Sequence, residues 1–232
     1  MSKFFVPAKH PEDWKPLLAK PRKHWRTGYS AKSLAYCWQE ASNFPSPVKK
    51  VFRNSGIALF QNIELLMAFP EYKVPLPPYS SRPSQSDIFI LAKGNDQLVS
   101  IMVEGKVDES FGEIIGDWKL HDRGGKKVRL RFLCDVLQLH VNKIDYIRYQ
   151  LLHRTASAVI EAKKFEAVNA LMVVHSFSQL KEKNNERFQD YCQFLKLFDV
   201  EGKMNSLAFA KNIGGINLYF GWVKGEKRYL EK

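Results

Sequence analysis

The sequence has few cysteines, no long apolar run and a shortage of acidic residues. Its three cysteines, Cys37, Cys134 and Cys192, lie far apart and form no CxxC pair. This spacing argues against a disulfide framework and against a cysteine-ligated zinc site. No apolar stretch approaches the roughly 20 residues that span a bilayer, and no apolar signal segment precedes Pro7. We therefore expect a soluble, cytoplasmic protein with no membrane partner.

The length and composition indicate a folded domain with an amino-terminal extension. Of the 232 residues, 45% are hydrophobic, which is enough for a buried core and too many for a disordered chain. The first 28 residues are rich in proline and lysine, with Trp14 and Trp25 as aromatic anchors. We predict an irregular basic arm at 1–28 and a single domain at 29–232.

Positive charge is in excess and is clustered. The 36 Lys and Arg residues exceed the 24 Asp and Glu residues, which gives a net charge of +12. Residues 1–53 hold eleven basic residues and three acids, and residues 119–131 hold six and one. Two separate clusters favour nucleic acid as the partner, although net charge also serves solubility. In the second cluster, Lys126, Lys127 and Arg129 are candidate phosphate-binding residues.

The predicted elements mix helices with strands, which indicates an α/β or α+β fold. Residues 87–107 predict a β-hairpin, because two strand-like runs flank a Gly-Asn-Asp turn. A basic Gly-Gly turn is expected near 124–125. By apolar spacing, the other predicted helices are 30–42, 47–55, 108–120, 130–141, 145–165 and 185–198, and the other predicted strands lie within 57–74 and at 170–177 and 214–223.

The hairpin is predicted to bring two acids together. If the loop is 94–97, Asp87 faces Glu104 across the strands, and Lys106 projects on the same face as Glu104. Opposed carboxylates repel unless a proton or cation lies between them. Mg²⁺ or Mn²⁺ is the simplest such cation, because both prefer oxygen ligands. Beside it, Lys106 would orient or deprotonate an attacking water, or stabilise negative charge on a phosphate.

This arrangement resembles the PD-(D/E)XK nuclease superfamily, in which an acid on one strand and an acid-x-Lys on the next form a metal site. Sixteen residues separate Asp87 from Glu104 in the present chain. The stretches GYSAKSLAYCWQEA and VEGKVDESFG are also similar to prokaryotic proteins of this type. The resemblance covers about residues 30–178. It implies a restriction-endonuclease-like αβββαβ core with a central mixed sheet flanked by helices, to which the arm and a carboxyl-terminal helix and strand are added.

The resemblance also implies an activity and a set of site residues. The activity is metal-dependent hydrolysis of phosphodiester bonds, usually in DNA. Asp87, Glu104 and the backbone carbonyl of Gly105 would hold Mg²⁺ or Mn²⁺, and Lys106 would act on the water. The proline that gives the family its name is displaced, since the nearest one before Asp87 is Pro83.

Three further residues are candidates for supporting roles at this site. Glu40 would be an extra carboxylate near the end of the first helix, as such nucleases often have. Gln150 resembles a helical glutamine found near the site in many members, and Arg154, one turn on, would reach phosphate. Ordinary solvent-facing polarity explains all three equally well.

The alternative function is a nucleic-acid-binding or protein-interaction module with the same fold and no chemistry. Net charge does not separate the two functions, because both need it. The discriminating feature is whether Asp87, Glu104 and Lys106 converge around a free coordination space. The sequence does not distinguish DNA from RNA as the substrate. A homodimer would suit cleavage of both strands of a duplex.

Overall fold

The structure is a computed structural model that describes residues 8–80, 82–120 and 124–232. Within these residues the strands form one six-stranded sheet. In chain order they are β1 Glu64–Val74, β2 Ser84–Gly94, β3 Gln97–Lys106, β4 Asn169–Ser176, β5 Ser206–Ile213 and β6 Ile216–Lys224. The sheet order is β1-β2-β3-β4-β6-β5, so the protein has a mixed sheet within an α/β architecture.

Helices precede, separate and follow these strands. The α-helices are α1 Pro21–His24, α2 Ser30–Gln39, α3 Ser46–Asn54, α4 Ala58–Gln61, α5 Ile115–Leu120, α6 Gly125–Leu137, α7 Tyr149–Lys164 and α8 Glu186–Leu195. Short 3-10 helices occur at Pro11–Leu17, Val141–Lys143, Glu182–Asn184, Lys196–Phe198 and Lys227–Glu231. None of the helices in the described ranges combines the length and apolarity that a membrane span requires.

The antiparallel hairpin forms in the register that the sequence predicts. Strands β2 and β3 are antiparallel, with Gly94 paired to Gln97. Between them, Asn95 and Asp96 have positive φ values of 45° and 58°, which asparagine and aspartate tolerate better than most residues. Strands β3, β4 and β6 then run parallel to one another, and α7 provides the crossover between β3 and β4.

Helices cover both faces of the sheet and bury two apolar layers. On one face α6, α7 and α8 pack over the strands through residues such as Leu133, Leu151 and Phe194. On the other face α2, α3 and α4 contribute residues such as Trp38 and Phe52. The helix α7 crosses β3 and β4, and this contact places its first turns beside the carboxyl-terminal end of β3.

Several predicted elements differ from the observed ones. The basic segment expected as a Gly-Gly turn instead opens α6 at Gly125, and the helix expected over 108–120 is confined to α5. The strand β5 was not predicted, because it is a partly exposed edge strand without a clear apolar alternation. Residues 8–28 of the predicted arm contain two short helices, with Trp14 buried. Residues 1–7 of the arm lie outside the described ranges.

Candidate functional site

A cleft of about 620 Å³ opens where the amino-terminal part of β2 meets the carboxyl-terminal end of β3. The first turns of α7 form one wall, and the amino terminus of α2 forms part of another. The residues of the predicted metal site line this cleft together, namely Asp87, Glu104, Gly105 and Lys106, and Gln150 and Arg154 line it from α7.

The hairpin register brings the first acid level with the second. The last ladder pair of β2 and β3 is Ile88 with Val103, so the next residues along, Asp87 and Glu104, lie side by side. The Asp87 carboxylate is turned towards β3, where its Oδ2 accepts a hydrogen bond of 2.7 Å from the backbone N–H of Gly105. Asp87 therefore points into the predicted site and not away from it.

Gly105 allows this close approach because it lacks a side chain. A Cβ atom there would lie 3.3 Å from Asp87 Oδ2 and 3.2 Å from Leu34 Cδ2, which is tighter than ordinary van der Waals contact. In an extended strand the N–H and C=O of one residue point to the same side. The carbonyl of Gly105 therefore lies on the same side of β3 as its N–H, and its binding to a metal stays a prediction.

Glu104 lies at the centre of a buried ionic triad. Its Oε1 is 2.7 Å from Lys106 Nζ, its Oε2 is 2.6 Å from Arg154 Nε, and no side chain of the three is more than 7% exposed. Burial raises the pKa of Glu104, but the positive charges of Arg154 and Lys106 outweigh burial and hold the pKa below its usual value. Glu104 is therefore ionised, and two side-chain cations already neutralise it.

Gln150 lines the same cleft from α7 and contacts the lysine directly. Its Oε1 accepts a hydrogen bond of 3.0 Å from Lys106 Nζ. The same ammonium lies 4.9 Å from the centroid of the Phe111 ring, close enough for a cation–π contact. Glu104, Gln150 and Phe111 together hold the lysine head group in one position.

Arg154 has a different environment from the one predicted. We expected an exposed arginine that reaches phosphate, but it is buried, and its Nη1 also donates to Ser84 Oγ at 3.2 Å. Its principal partner is the Glu104 carboxylate. This role was not visible in the sequence, because the pair joins α7 to β3 across 50 residues.

A third carboxylate, Glu71, lines the cleft and was not predicted. In the pairing of β1 with β2, Pro70 pairs with Ile88 and Tyr72 pairs with Ser86. Glu71, which lies between Pro70 and Tyr72, is therefore level with Asp87. Glu71, Asp87 and Glu104 thus stand level on three adjacent strands. The sequence carried one signal of this, a second acid-x-Lys triplet at 71–73 in a strand-like run.

The local environment of Glu71 and Asp87 favours their protonated forms. Burial, and then the charge of Asp87, raise the pKa of Glu71 to about 8, while Gln85 Nε2 donates to its Oε2 at 2.7 Å. Burial, and then the charge of Glu104, raise the pKa of Asp87 to about 7. Carboxylates held together in this way are the groups that a cation would stabilise in ionised form.

Glu40 is not part of the site, so that prediction is wrong. It follows α2 at the carboxyl-terminal end, is exposed, and lines a separate pocket with Cys37 and Tyr229. Ser30, at the other end of α2, lines the cleft. At about 1.5 Å per helical residue, Glu40 lies roughly 15 Å further along the helix axis.

Arg129 is a structural residue, and its predicted role in phosphate binding is wrong. It is only 8% exposed, and its guanidinium donates to the carbonyl oxygens of Pro77 at 3.0 Å and Leu76 at 3.2 Å. Lys127 is exposed and Lys126 partly so, and their binding to nucleic acid stays a prediction. Residues 121–123 of this basic cluster lie outside the described ranges.

The arm contributes a lysine and a histidine to the cleft. Both Lys23 and His24 of α1 line it. Burial, and then the charge of Lys23, hold the pKa of His24 below its usual value. The sequence predicts a basic arm but does not predict which of its residues reach the cleft, because the position of Lys23 and His24 depends on how the arm packs against the domain.

The oxygen atoms present fit a hard divalent cation. The described ranges contain no group of three or more His, Cys, Asp or Glu side chains arranged as metal ligands. Mg²⁺ usually needs only one or two carboxylates, with waters and substrate phosphate completing its shell. No donor in the described part of the chain contacts Asp87 Oδ1, and each oxygen of Glu104 keeps a second lone pair beyond its ion pair. Together with the Gly105 carbonyl, these atoms supply such a set.

Comparison with known proteins identifies the family of the chain. Residues 7–227 match the family described as a domain of unknown function (DUF6946), so the chain belongs to that family. The match covers the sheet, its helices and all residues of the cleft. We found no match to the chain among curated proteins and none among solved structures.

Proposed function

We propose that this DUF6946 protein is a metal-dependent nuclease of the PD-(D/E)XK type, which hydrolyses phosphodiester bonds in nucleic acid. The observation that carries the proposal is the meeting of Asp87, Glu104, Lys106 and Gln150 in one cleft. A second observation supports it, since from α2 to β4 three helices precede three strands, and further helices, ending with α7, precede β4. With α2 and α7 as the core helices, this order fits the expected αβββαβ core. A restriction-endonuclease-like core is part of the same proposal.

Five residues of the cleft have roles in this reaction. Asp87, Glu104 and the Gly105 carbonyl hold Mg²⁺ or Mn²⁺, which when bound supplies Lewis-acid stabilisation of the phosphate. Lys106 orients the attacking water and balances the negative charge that develops on the phosphate. Gln150, hydrogen-bonded to Lys106 Nζ, keeps the lysine head group in position.

The charge of the protein suits a nucleic-acid substrate. The net charge is +12, and the basic residue Lys23 lines the cleft itself. Counterion release from the phosphate backbone would supply affinity that does not depend on sequence. We propose DNA as the substrate, with the backbone held by this basic surface, and the homodimer stays a prediction.

Plasmid cleavage tests the proposed function. Supercoiled DNA is incubated with the protein in Mg²⁺, Mn²⁺ or EDTA, and nicked and linear products are quantified. We expect cleavage only with a divalent cation, and at least about a hundredfold slower turnover in Lys106→Met, since the loss of one group that stabilises the transition state has such an effect. The matched control is Lys203→Met, from an exposed acid-x-Lys triplet. Full turnover by Lys106→Met would overturn the assigned role.

One observation favours a second function, metal-free binding of nucleic acid. Glu104 is already neutralised by Lys106 and Arg154, so the triad is electrostatically complete without a metal. For a binding module, we expect nucleic acid to bind equally well in EDTA and in Mg²⁺, with no cleavage in any divalent cation. The same plasmid assay, combined with a gel-shift measurement, separates this function from the nuclease.

A further inference from the structure

A column of three aromatic rings in contact lines the cleft beside the proposed metal site. The ring centroids of Trp118 and Tyr149 are 4.2 Å apart at an interplanar angle of 13°, so these two rings are stacked. The Tyr149 and His153 ring centroids are 4.6 Å apart, with the two planes tilted by 43°. We call these three residues the aromatic column, and all of them line the cleft.

The inner end of the column adjoins the ionic triad. His153 Nδ1 lies 2.8 Å from Ser84 Oγ. The residue after His153 is Arg154, whose Nε contacts Glu104. Tyr149 precedes Gln150, which contacts Lys106. The column therefore follows the first turns of α7, within about one helical pitch of the groups proposed to act on phosphate.

The outer end of the column is Trp118, which is partly exposed on the short helix α5 and packs against the apolar layer of α6, α7 and α8. Trp14, Trp38 and Trp222, by contrast, are at most 2% exposed. Lys126 Nζ lies 4.8 Å from the Trp118 ring centroid and donates to the Trp118 carbonyl oxygen. Because Tyr149 stacks on one face of the ring, the Lys126 ammonium covers the other face, and a ligand that stacks there takes its place.

Aromatic rings next to cations are the usual way in which proteins hold single-stranded nucleic acid. Every base has a π-face, so stacking tolerates any sequence, while the basic residues follow the backbone. In a duplex the base faces are stacked on their neighbours and cannot reach such a ring unless the base is extruded. The column therefore distinguishes an unpaired base from a paired one.

We propose that the aromatic column receives an unpaired nucleobase on Trp118, so that the substrate of the cleft is single-stranded or locally unpaired nucleic acid. The inference rests on the proposed function, because that function places the scissile phosphate beside Asp87 and Lys106, next to the position of this base. The base replaces the Lys126 ammonium on the outer face of the ring, and Lys126, on its flexible stem, then binds the adjacent phosphate. The shared chemistry is a nucleobase on a phosphodiester chain, whether DNA or RNA.

Fluorescence anisotropy in EDTA tests the inference without requiring cleavage. The probes are labelled oligo(dT), oligo(U), and a duplex of the same length. We expect Trp118→Ala to bind either single strand about tenfold more weakly, the effect usual for one lost stacking contact, and duplex binding to stay within twofold. Trp118→Phe should recover most of the affinity. The matched control is Trp25→Phe, a partly exposed tryptophan of the arm outside the cleft, which should bind like the wild type.

A second probe keeps the test valid if Trp118→Ala proves unstable. A series of oligo(dT) strands, each with one abasic position, should bind the wild-type protein more weakly at one position of the series. Removal of the base at that position should not weaken binding further in Trp118→Ala or in any other folded variant that lacks the Trp118 ring. The inference would be overturned if Trp118→Ala lost as much affinity for the duplex as for the single strands. It would also be overturned if removal of a base at no position weakened binding to the wild-type protein.

The two proposals fail in distinguishable ways. If no divalent cation supports cleavage but binding still depends on Trp118, the nuclease is wrong and the base site stands. If cleavage occurs and Trp118→Ala binds single strands as tightly as the wild type does, the base site is wrong and the nuclease stands. The oligo(dT) and oligo(U) arms then show which nucleic acid the cleft prefers.

Discussion

Replacement of Glu104 by glutamine removes the one negative charge that two buried cations share. Lys106 Nζ and Arg154 Nε lie 2.7 and 2.6 Å from its carboxylate, and these side chains are 5% and 7% exposed. Glutamine keeps the size of the side chain but leaves both cations uncompensated in a site with little water. Loss of one partner from a buried ion pair costs about 3–5 kcal/mol. That is a large part of the roughly 5–15 kcal/mol by which a domain of this kind is stable.

The matched control is Glu201→Gln, which removes the acid of an exposed acid-x-Lys triplet. Glu201 lies 3.1 Å from Lys203, and the two side chains are 80% and 68% exposed. Exposed pairs of this kind contribute about 1 kcal/mol or less. Urea unfolding, followed by tryptophan fluorescence, gives the free energy of unfolding for the wild type and both variants.

The comparison has a clear refuting result. If Glu104→Gln loses no more stability than Glu201→Gln, then Glu104 is not an ionised group shared by two buried cations. The double variant Glu104→Gln/Lys106→Met provides a second check. It should be more stable than Glu104→Gln alone, because it removes one of the two uncompensated charges.

Three further predictions concern other contacts of the cleft and its surroundings. Burial and the charge of Glu104 raise the pKa of Asp87 from an ordinary value of 3.8 to about 7. The folded state therefore binds this proton more tightly than the unfolded state, and stability without metal should fall as the pH rises from about 4 to 7. Melting temperatures across that range should show a smaller fall for Asp87→Asn. Arg129→Met should lower the free energy of unfolding, measured by urea unfolding, by about 1–3 kcal/mol, since the carbonyl oxygens of Leu76 and Pro77 lose a charged donor. Gly105→Ala should slow metal-dependent cleavage at least tenfold with little change in melting temperature, because the added Cβ crowds Asp87 Oδ2.

The parts of the site that local chemistry determines were predictable from the sequence. The side-chain alternation of a strand and the positive φ values of Asn95 and Asp96 fix the hairpin register, and that register places Asp87 beside Glu104. The long helix α7 follows from apolar spacing alone. Its contact with β3 then brings Gln150 to Lys106.

Other parts depend on contacts between distant segments and could not be predicted. Glu71 joins the site through the pairing of β1 with β2, at a backbone position with φ of 54° that sequence patterns do not indicate. Arg154 and Arg129 are polar in sequence and buried in the structure, because each pairs with a group brought close only by the fold. Glu40 lies outside the site because the length of α2 separates it from Ser30, the residue of that helix that lines the cleft.

Mn²⁺ binding, measured by calorimetry, tests the central claim most directly. The account predicts that the wild-type protein binds Mn²⁺, that Asp87→Asn and Glu104→Ala abolish the binding heat, and that the control Glu40→Gln retains it. Glu40 is the matched control because it is a carboxylate on the same protein that lies outside the cleft. A wild-type protein that binds no Mn²⁺, or one whose binding survives Asp87→Asn, would contradict the account.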